Sequence, residues 1–142
     1  ITRSRAARSV IIRTVATKIL VVDDNPDVLT LLERRLGAVG YETLNARNAS
    51  EALAILEQTT VDIVVLDVMM PGISGYDVLK LLKDKFESPP QVIVYSAVED
   101  VDEKAKGKET REYTFVVKTP SGSLLIEAIQ SALNSAGRKI LT

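Results

Sequence analysis

A single α/β domain, with a parallel sheet covered on both faces by helices, is what this sequence predicts, and three observations predict it. Short β-rich runs alternate with stretches of helical periodicity from residue 18 onward. The central runs are almost continuously apolar, as strands buried on both faces must be. No internal repeat or low-complexity linker breaks the alternation, and 142 residues suit one domain.

KILVV, residues 18–22, reads as the first buried strand. Residues 26–39 set Val28, Leu32, Leu36 and Val39 on one helical face, and Gly40 follows as a stop. YETLNA, residues 41–46, is a weaker second strand. Ser50 is placed to cap a second helix bearing Ala52, Leu53 and Leu56. VDIVVLD, residues 61–67, has the near-unbroken apolar character of a central parallel strand and ends on an acid. The loop VMMPGISG leads to a third helix carrying Val78, Leu79, Leu82 and Phe86, closed by Ser88-Pro89-Pro90. QVIVYS, residues 91–96, is the fourth strand. The charged stretch 98–112 offers only Val98, Val101 and Ala105 as apolar anchors and has Gly107 inside it, so its helix, the fourth, is expected to be short. YTFVV, residues 113–117, is the fifth strand, and residues 123–136 bring Leu125, Ile129, Ala132 and Leu133 to one face of a last, fifth helix. Five strands alternating with five helices define a doubly wound α/β sheet.

Composition narrows the functional classes. With 46% hydrophobic residues and a mean hydropathy of +0.11 the chain can bury a real core. A net charge of −1 and a pI of about 5.6 advertise no nucleic-acid surface. The absence of cysteine removes disulfides and thiolate chemistry and suits a reducing compartment; a cytoplasmic location is expected. The absence of histidine removes imidazole bases, imidazole metal ligands and any phosphohistidine of the chain's own. Residues 1–17 differ from the rest: Arg3, Arg5, Arg8 and Arg13 stand among them without an acid. They are expected to be a basic extension, a tag or a linker, ahead of a domain spanning 18–142. No apolar run approaches the length of a membrane span.

The polar residues that break this pattern fall where function collects in open parallel sheets, at the carboxyl ends of the strands. Asp23 and Asp24 end the first strand, Asp67 the third, Ser96 the fourth and Lys118 the fifth. Taken singly each has a plain structural role: Asp24 or Asn25 caps the first helix, Ser96 is a small polar residue, and Lys118 is a surface lysine. If the strand ends converge, three carboxylates, a hydroxyl and an ammonium share one pocket. Three carboxylates together raise one another's pKa, and a hard divalent cation resolves that conflict. Oxygen-only ligation describes Mg²⁺ better than zinc.

With VVDD, VLDVMMPGISG, VYSA and VVKTP in this order, residues 18–137 resemble the receiver domain of response regulators, the phosphoacceptor module of two-component signalling. The resemblance implies a flavodoxin-like sheet of strand order 2-1-3-4-5. It implies that Asp67 accepts the phosphoryl group, that Asp24 and Asp67 ligate Mg²⁺ with the Met69 carbonyl, and that Asp23 acts mainly through water. Lys118 would pair with the carboxylate and then a phosphoryl oxygen, Ser96 would hydrogen-bond the phosphoryl group, and Phe115 would turn inward as Ser96 moves. The implied partner is a sensor histidine kinase or phosphotransfer protein, and the candidate assembly is a homodimer through the fourth helix, fifth strand and fifth helix. Neither nucleic acid nor membrane is implied for this chain, and the module is no conventional enzyme: it catalyses only its own phosphorylation and slow dephosphorylation.

Two departures from the family pattern bear on that reading. Family members usually carry proline directly after the lysine, often with a cis bond; here Thr119 intervenes and proline comes at 120. The Gly-Ala pair common before the fifth strand is also absent. The altered loop leaves a second reading open, a pseudo-receiver that binds partners without phosphorylation. A phosphatase of the haloacid dehalogenase kind is disfavoured because Met69 stands where that class needs an acid, and neither G-x-G-x-x-G nor G-x-x-x-x-G-K-[ST] occurs for nucleotide binding.

Overall fold

The computed structural model describes residues 16–68, 75–97 and 113–135. They form β1 (Lys18–Val22), α1 (Pro26–Ala38), β2 (Glu42–Ala46), α2 (Ala49–Gln58), β3 (Ile63–Leu66), α3 (Gly75–Lys85), β4 (Gln91–Ser96), β5 (Thr114–Val117) and α4 (Ser123–Ser135). The helix expected within 98–112 lies outside the described residues, as do most of the basic extension, Met69 and Val98.

The five strands form one parallel sheet in the order β2-β1-β3-β4-β5, as the resemblance implied. β1 and β3 lie at its centre, and their apolar runs are explained by burial on both faces: every residue of β3 and all but the first of β1 are buried. Alternation sends Ile19, Val21, Ile63, Val65, Ile93 and Tyr95 to one face, where Leu29, Leu32 and Leu36 of α1 and Leu125, Ile129 and Leu133 of α4 cover them. Leu20, Val22, Val64, Leu66 and Val94 point to the other face, against Ala52 and Leu56 of α2 and Val78, Leu79 and Leu82 of α3.

Local chemistry sets the helix boundaries. Asn25 is the N-cap of α1, its side-chain oxygen accepting the Asp27 N–H at 2.9 Å, with Pro26 in the first turn. Gly40 takes φ +100° just past the helix, a conformation that suits glycine. Two sequence expectations are corrected. The buried face of α1 runs through Leu29, Leu32 and Leu36; Val39 is 42% exposed because the helix stops one residue before it. The cap of α2 is Asn48 and not Ser50: Asn48 accepts the Glu51 N–H at 2.9 Å, and Glu51 reaches back to accept the Arg47 N–H at 2.8 Å, so two orphan donors are satisfied together. Ser50, an exposed residue, lies inside the first turn.

Candidate functional site

The hydrogen-bond ladder of the sheet runs one step past the strands and fixes the backbone of the polar residues at their ends. Asp23 N–H donates to the Ala46 carbonyl at 3.0 Å, Asp67 N–H to the Val22 carbonyl at 3.0 Å, and Lys118 N–H to the Ser96 carbonyl at 2.8 Å. These rungs bring the side chains of four strand ends together across the middle of the sheet.

Asp67 is buried, and its carboxylate is gripped from two sides. Ser96 Oγ donates to Oδ1 at 3.2 Å, and Lys118 Nζ donates to Oδ2 at 3.2 Å. Ser96, fully buried, also accepts the Val68 N–H at 3.4 Å, which fixes its rotamer. Lys118 Nζ lies closer to Asp23 than to Asp67, 2.8 Å from Oδ2. Asp23 is buried as well, and its other oxygen accepts the Asn25 N–H at 2.9 Å. Asp24 stands exposed at the mouth. One carboxylate oxygen from each of Asp23, Asp24 and Asp67 lies within 4.8 Å of the others.

Electrostatics follow from this crowding. Burial pushes the Asp23 carboxyl above its ordinary value, and the charge of Asp67 adds to the rise. The hydrogen bond from Lys118, the Asn25 N–H and the Lys118 charge only partly oppose it. Burial alone would lower the Lys118 ammonium; its hydrogen bond to Asp23 and the charges of Asp67 and Asp23 outweigh that and raise it. The Lys118 rise reflects one ammonium set between two carboxylates, whereas the Asp23 rise is chiefly the cost of burying its charge. The donor set is all oxygen and carries a surplus of negative charge, which fits a hard divalent cation.

The sequence-predicted residues Asp23, Asp24, Asp67, Ser96 and Lys118 therefore meet in one place. Phe115 is half-buried, in register with Val94 two residues before Ser96, and packs against the core on the α2 and α3 face. The Met69 carbonyl falls outside the described residues. Neither acid at the end of β1 is used to cap α1, since Asn25 does that work. The loop after Lys118 has no cis bond: the described residues contain none. Two relations were not anticipated, the close pairing of Lys118 with Asp23 and a contact between the buried Tyr95 hydroxyl and Thr119. Tyr95 is the only aromatic in the apolar run of β4, and that was the signal available.

Residues 19–130 match the family model of the response regulator receiver domain, and the chain belongs to that family. It is 39% identical over 121 residues to a probable transcriptional regulator, ycf27, of Porphyra purpurea, covering 85% of this chain and 49% of that protein. The chain thus spans about half the length of the curated relatives it matches. Among solved structures it is similar to the response regulator TrrA of Thermotoga maritima in complex with Mg²⁺ and beryllofluoride, with 33% identity, a TM-score of 0.72, and coverage of 82% of this chain and 99% of that one. It is similar to TrrA again in its complex with the histidine kinase ThkA, with 32% identity, a TM-score of 0.72, and coverage of 82% and 98%. The module is thus a response regulator receiver of two-component systems, and among the described residues no helix is long and apolar enough to cross a membrane.

Proposed function

We propose that this domain accepts a phosphoryl group on Asp67 from a histidine kinase or phosphotransfer protein, with Mg²⁺ held by Asp24 and Asp67 and with Asp23 acting through water. The observation that carries the reading is the Asp67 carboxylate, buried yet held between the Ser96 hydroxyl and the Lys118 ammonium with two further acids beside it. An Asp67 oxygen attacks the phosphorus of a phosphohistidine or an acyl phosphate. The new bond is O–P; the bond from phosphorus to the donor breaks, and its electron pair leaves with the imidazole or the carboxylate. Bound Mg²⁺ supplies neutralisation of charge on the phosphoryl oxygens.

The chain's own residues do the rest. Lys118 is within reach of an oxygen on Asp67 and offsets the charge that arrives there. Ser96 already donates to Asp67, and rotation about one bond turns the hydroxyl toward a phosphoryl oxygen. That movement would free space on the face where Phe115 packs and so reach β5; we propose that a homodimer or partner docks through β5, α4 and the helix expected within 98–112. A complex of the similar TrrA with a histidine kinase supports a kinase as the donor. A cytoplasmic location and the absence of conventional enzyme turnover belong to the same reading.

The test is chemical. With Mg²⁺ and acetyl phosphate, intact mass should rise by one phosphoryl group in the parent and not in Asp67→Asn. Phosphorylation at another residue would sink the assignment to Asp67, and none in the parent under conditions where Mg²⁺ binds would leave the partner-binding pseudo-receiver as the better account.

A further inference from the structure

The loop that follows Lys118 is tied to the sheet by a contact that the phosphoacceptor reading does not use. Tyr95 is 3% exposed, in the core between the sheet and helices α1 and α4. Leucine or phenylalanine would fill that space without bringing a hydroxyl that needs partners. Its hydroxyl donates to the Thr119 carbonyl at 3.4 Å and accepts the Thr119 N–H at 3.3 Å, so both main-chain groups of one residue are held by one side chain. The N–H bond requires a residue other than proline at 119. On the other side of the same lysine, Lys118 N–H is fixed to the Ser96 carbonyl at 2.8 Å. The Lys118 backbone is therefore bracketed by two consecutive residues of β4, Tyr95 through its hydroxyl and Ser96 through its carbonyl. The remaining bonds of the loop are internal: Gly122 N–H lies 3.2 Å from both the Thr119 carbonyl and the Thr119 hydroxyl oxygen. They shape the turn into α4 and do not attach it to the sheet.

We infer that Tyr95 is a positioning residue for Lys118, acting through the main chain of Thr119 to set the ammonium between Asp23 and Asp67. The inference rests on the reading of Lys118 as the cation that meets the incoming phosphoryl group. Orientation makes a small displacement consequential: about 1 Å at a reacting centre costs up to about a hundredfold in rate.

Tyr95→Phe keeps the ring in the core and removes only the oxygen. At saturating Mg²⁺ its phosphorylation by acetyl phosphate should slow about tenfold, while the Mg²⁺ midpoint stays within about twofold, since Asp24 and Asp67 hold metal without Lys118. By NMR, the Lys118 ε-methylene resonance should move toward that of a free lysine. Tyr41→Phe, which removes the hydroxyl of a half-buried tyrosine just before β2, should match the parent in all three measurements. An unchanged rate, an unchanged Lys118 resonance, or equal losses of rate and Mg²⁺ affinity would each overturn the inference, the last because it would mean general loosening. If the parent itself takes no phosphate, the phosphoacceptor reading fails and the Lys118 resonance decides alone: a shift in Tyr95→Phe supports the positioning role, and none overturns it.

Discussion

Replacing Lys118 by methionine keeps the aliphatic stem and removes the cation paired with the acid cluster. At an effective dielectric constant near 20, the contacts of 2.8 Å to Asp23 and 3.2 Å to Asp67 correspond to about 6 and 5 kcal/mol of attraction. Each carboxylate pair, with oxygens no more than 4.8 Å apart, repels by at least about 3.5 kcal/mol on the same scale. Those sums exceed what the variant will lose, because the folded chain has an easier route. One bound proton replaces the lost unit of charge. Protonating a carboxyl whose ordinary value is 3.8 costs about 4.4 kcal/mol at pH 7 and about 1.6 kcal/mol at pH 5.

The proton goes to Asp23, the buried acid whose pKa is already raised. A carboxyl raised in the folded state keeps a proton that the unfolded chain releases, so stability is full below the unfolded value and is lost as pH rises through the folded one. Lys118→Met should therefore lose about 2 to 4 kcal/mol at pH 7 and less than about 1.6 kcal/mol at pH 5. Urea unfolding in EDTA at the two pH values measures both numbers. A loss below about 0.5 kcal/mol at pH 7, or a larger loss at pH 5 than at pH 7, would refute this account of the site's charge balance.

Three further outcomes are expected. Mg²⁺ at ten times the parent's dissociation constant should stabilise the parent by about 1.4 kcal/mol and raise Tm by about 4 to 6 °C, and the same Mg²⁺ concentration should stabilise Lys118→Met more because the lost ammonium tightens cation binding; a Tm indifferent to Mg²⁺ would count against the cation site. Asn48→Ala should cost about 1 kcal/mol in a denaturant titration, because the Glu51 N–H loses its acceptor, and Asn48→Asp should cost much less. Once phosphorylated, Met69→Asn combined with Val98→Glu should release phosphate faster than the parent in a decay assay: these residues stand two positions beyond Asp67 and Ser96 in sequence, the spacing from which the resemblance implies that side chains hold or exclude the attacking water; equal or slower decay would show that this reading of the two positions is wrong.

Periodicity carried the reading of the architecture because this sheet obeys the simplest burial rule. β3 is buried at every residue, and α4 repeats its apolar positions at Leu125, Ile129 and Leu133. The site was legible for a related reason: helix capping or solvent exposure accounts for one polar residue at the end of an apolar strand, but not for carboxylates, a hydroxyl and an ammonium at four such ends together. What sequence spacing could not reveal were choices between near neighbours. Ser50 and Asn48 are both good caps, and which one is used depends on where the chain leaves β2. Lys118 could pair with Asp23 or Asp67, and a difference of 0.4 Å separates the two contacts. The consequence of Thr119 was hidden because it depends on a tyrosine 24 residues earlier on another strand.

The acids and the ammonium come from opposite ends of the domain, and this has a consequence for biosynthesis. Asp67 and Lys118 are 51 residues apart in sequence, and β5 is an edge strand made last. A nascent chain that has paired β1, β3 and β4 already has Asp23, Asp24 and Asp67 at neighbouring strand ends, while their lysine is still in the ribosome. During that interval the assembling half-sheet carries its most repulsive charges at its centre. Water, a proton or a divalent ion must stand in until Lys118 emerges. The same arrangement makes Lys118 a marker of completion: the pocket gains its ammonium only when β5 has docked, so a copy lacking that strand cannot present the complete charge cluster.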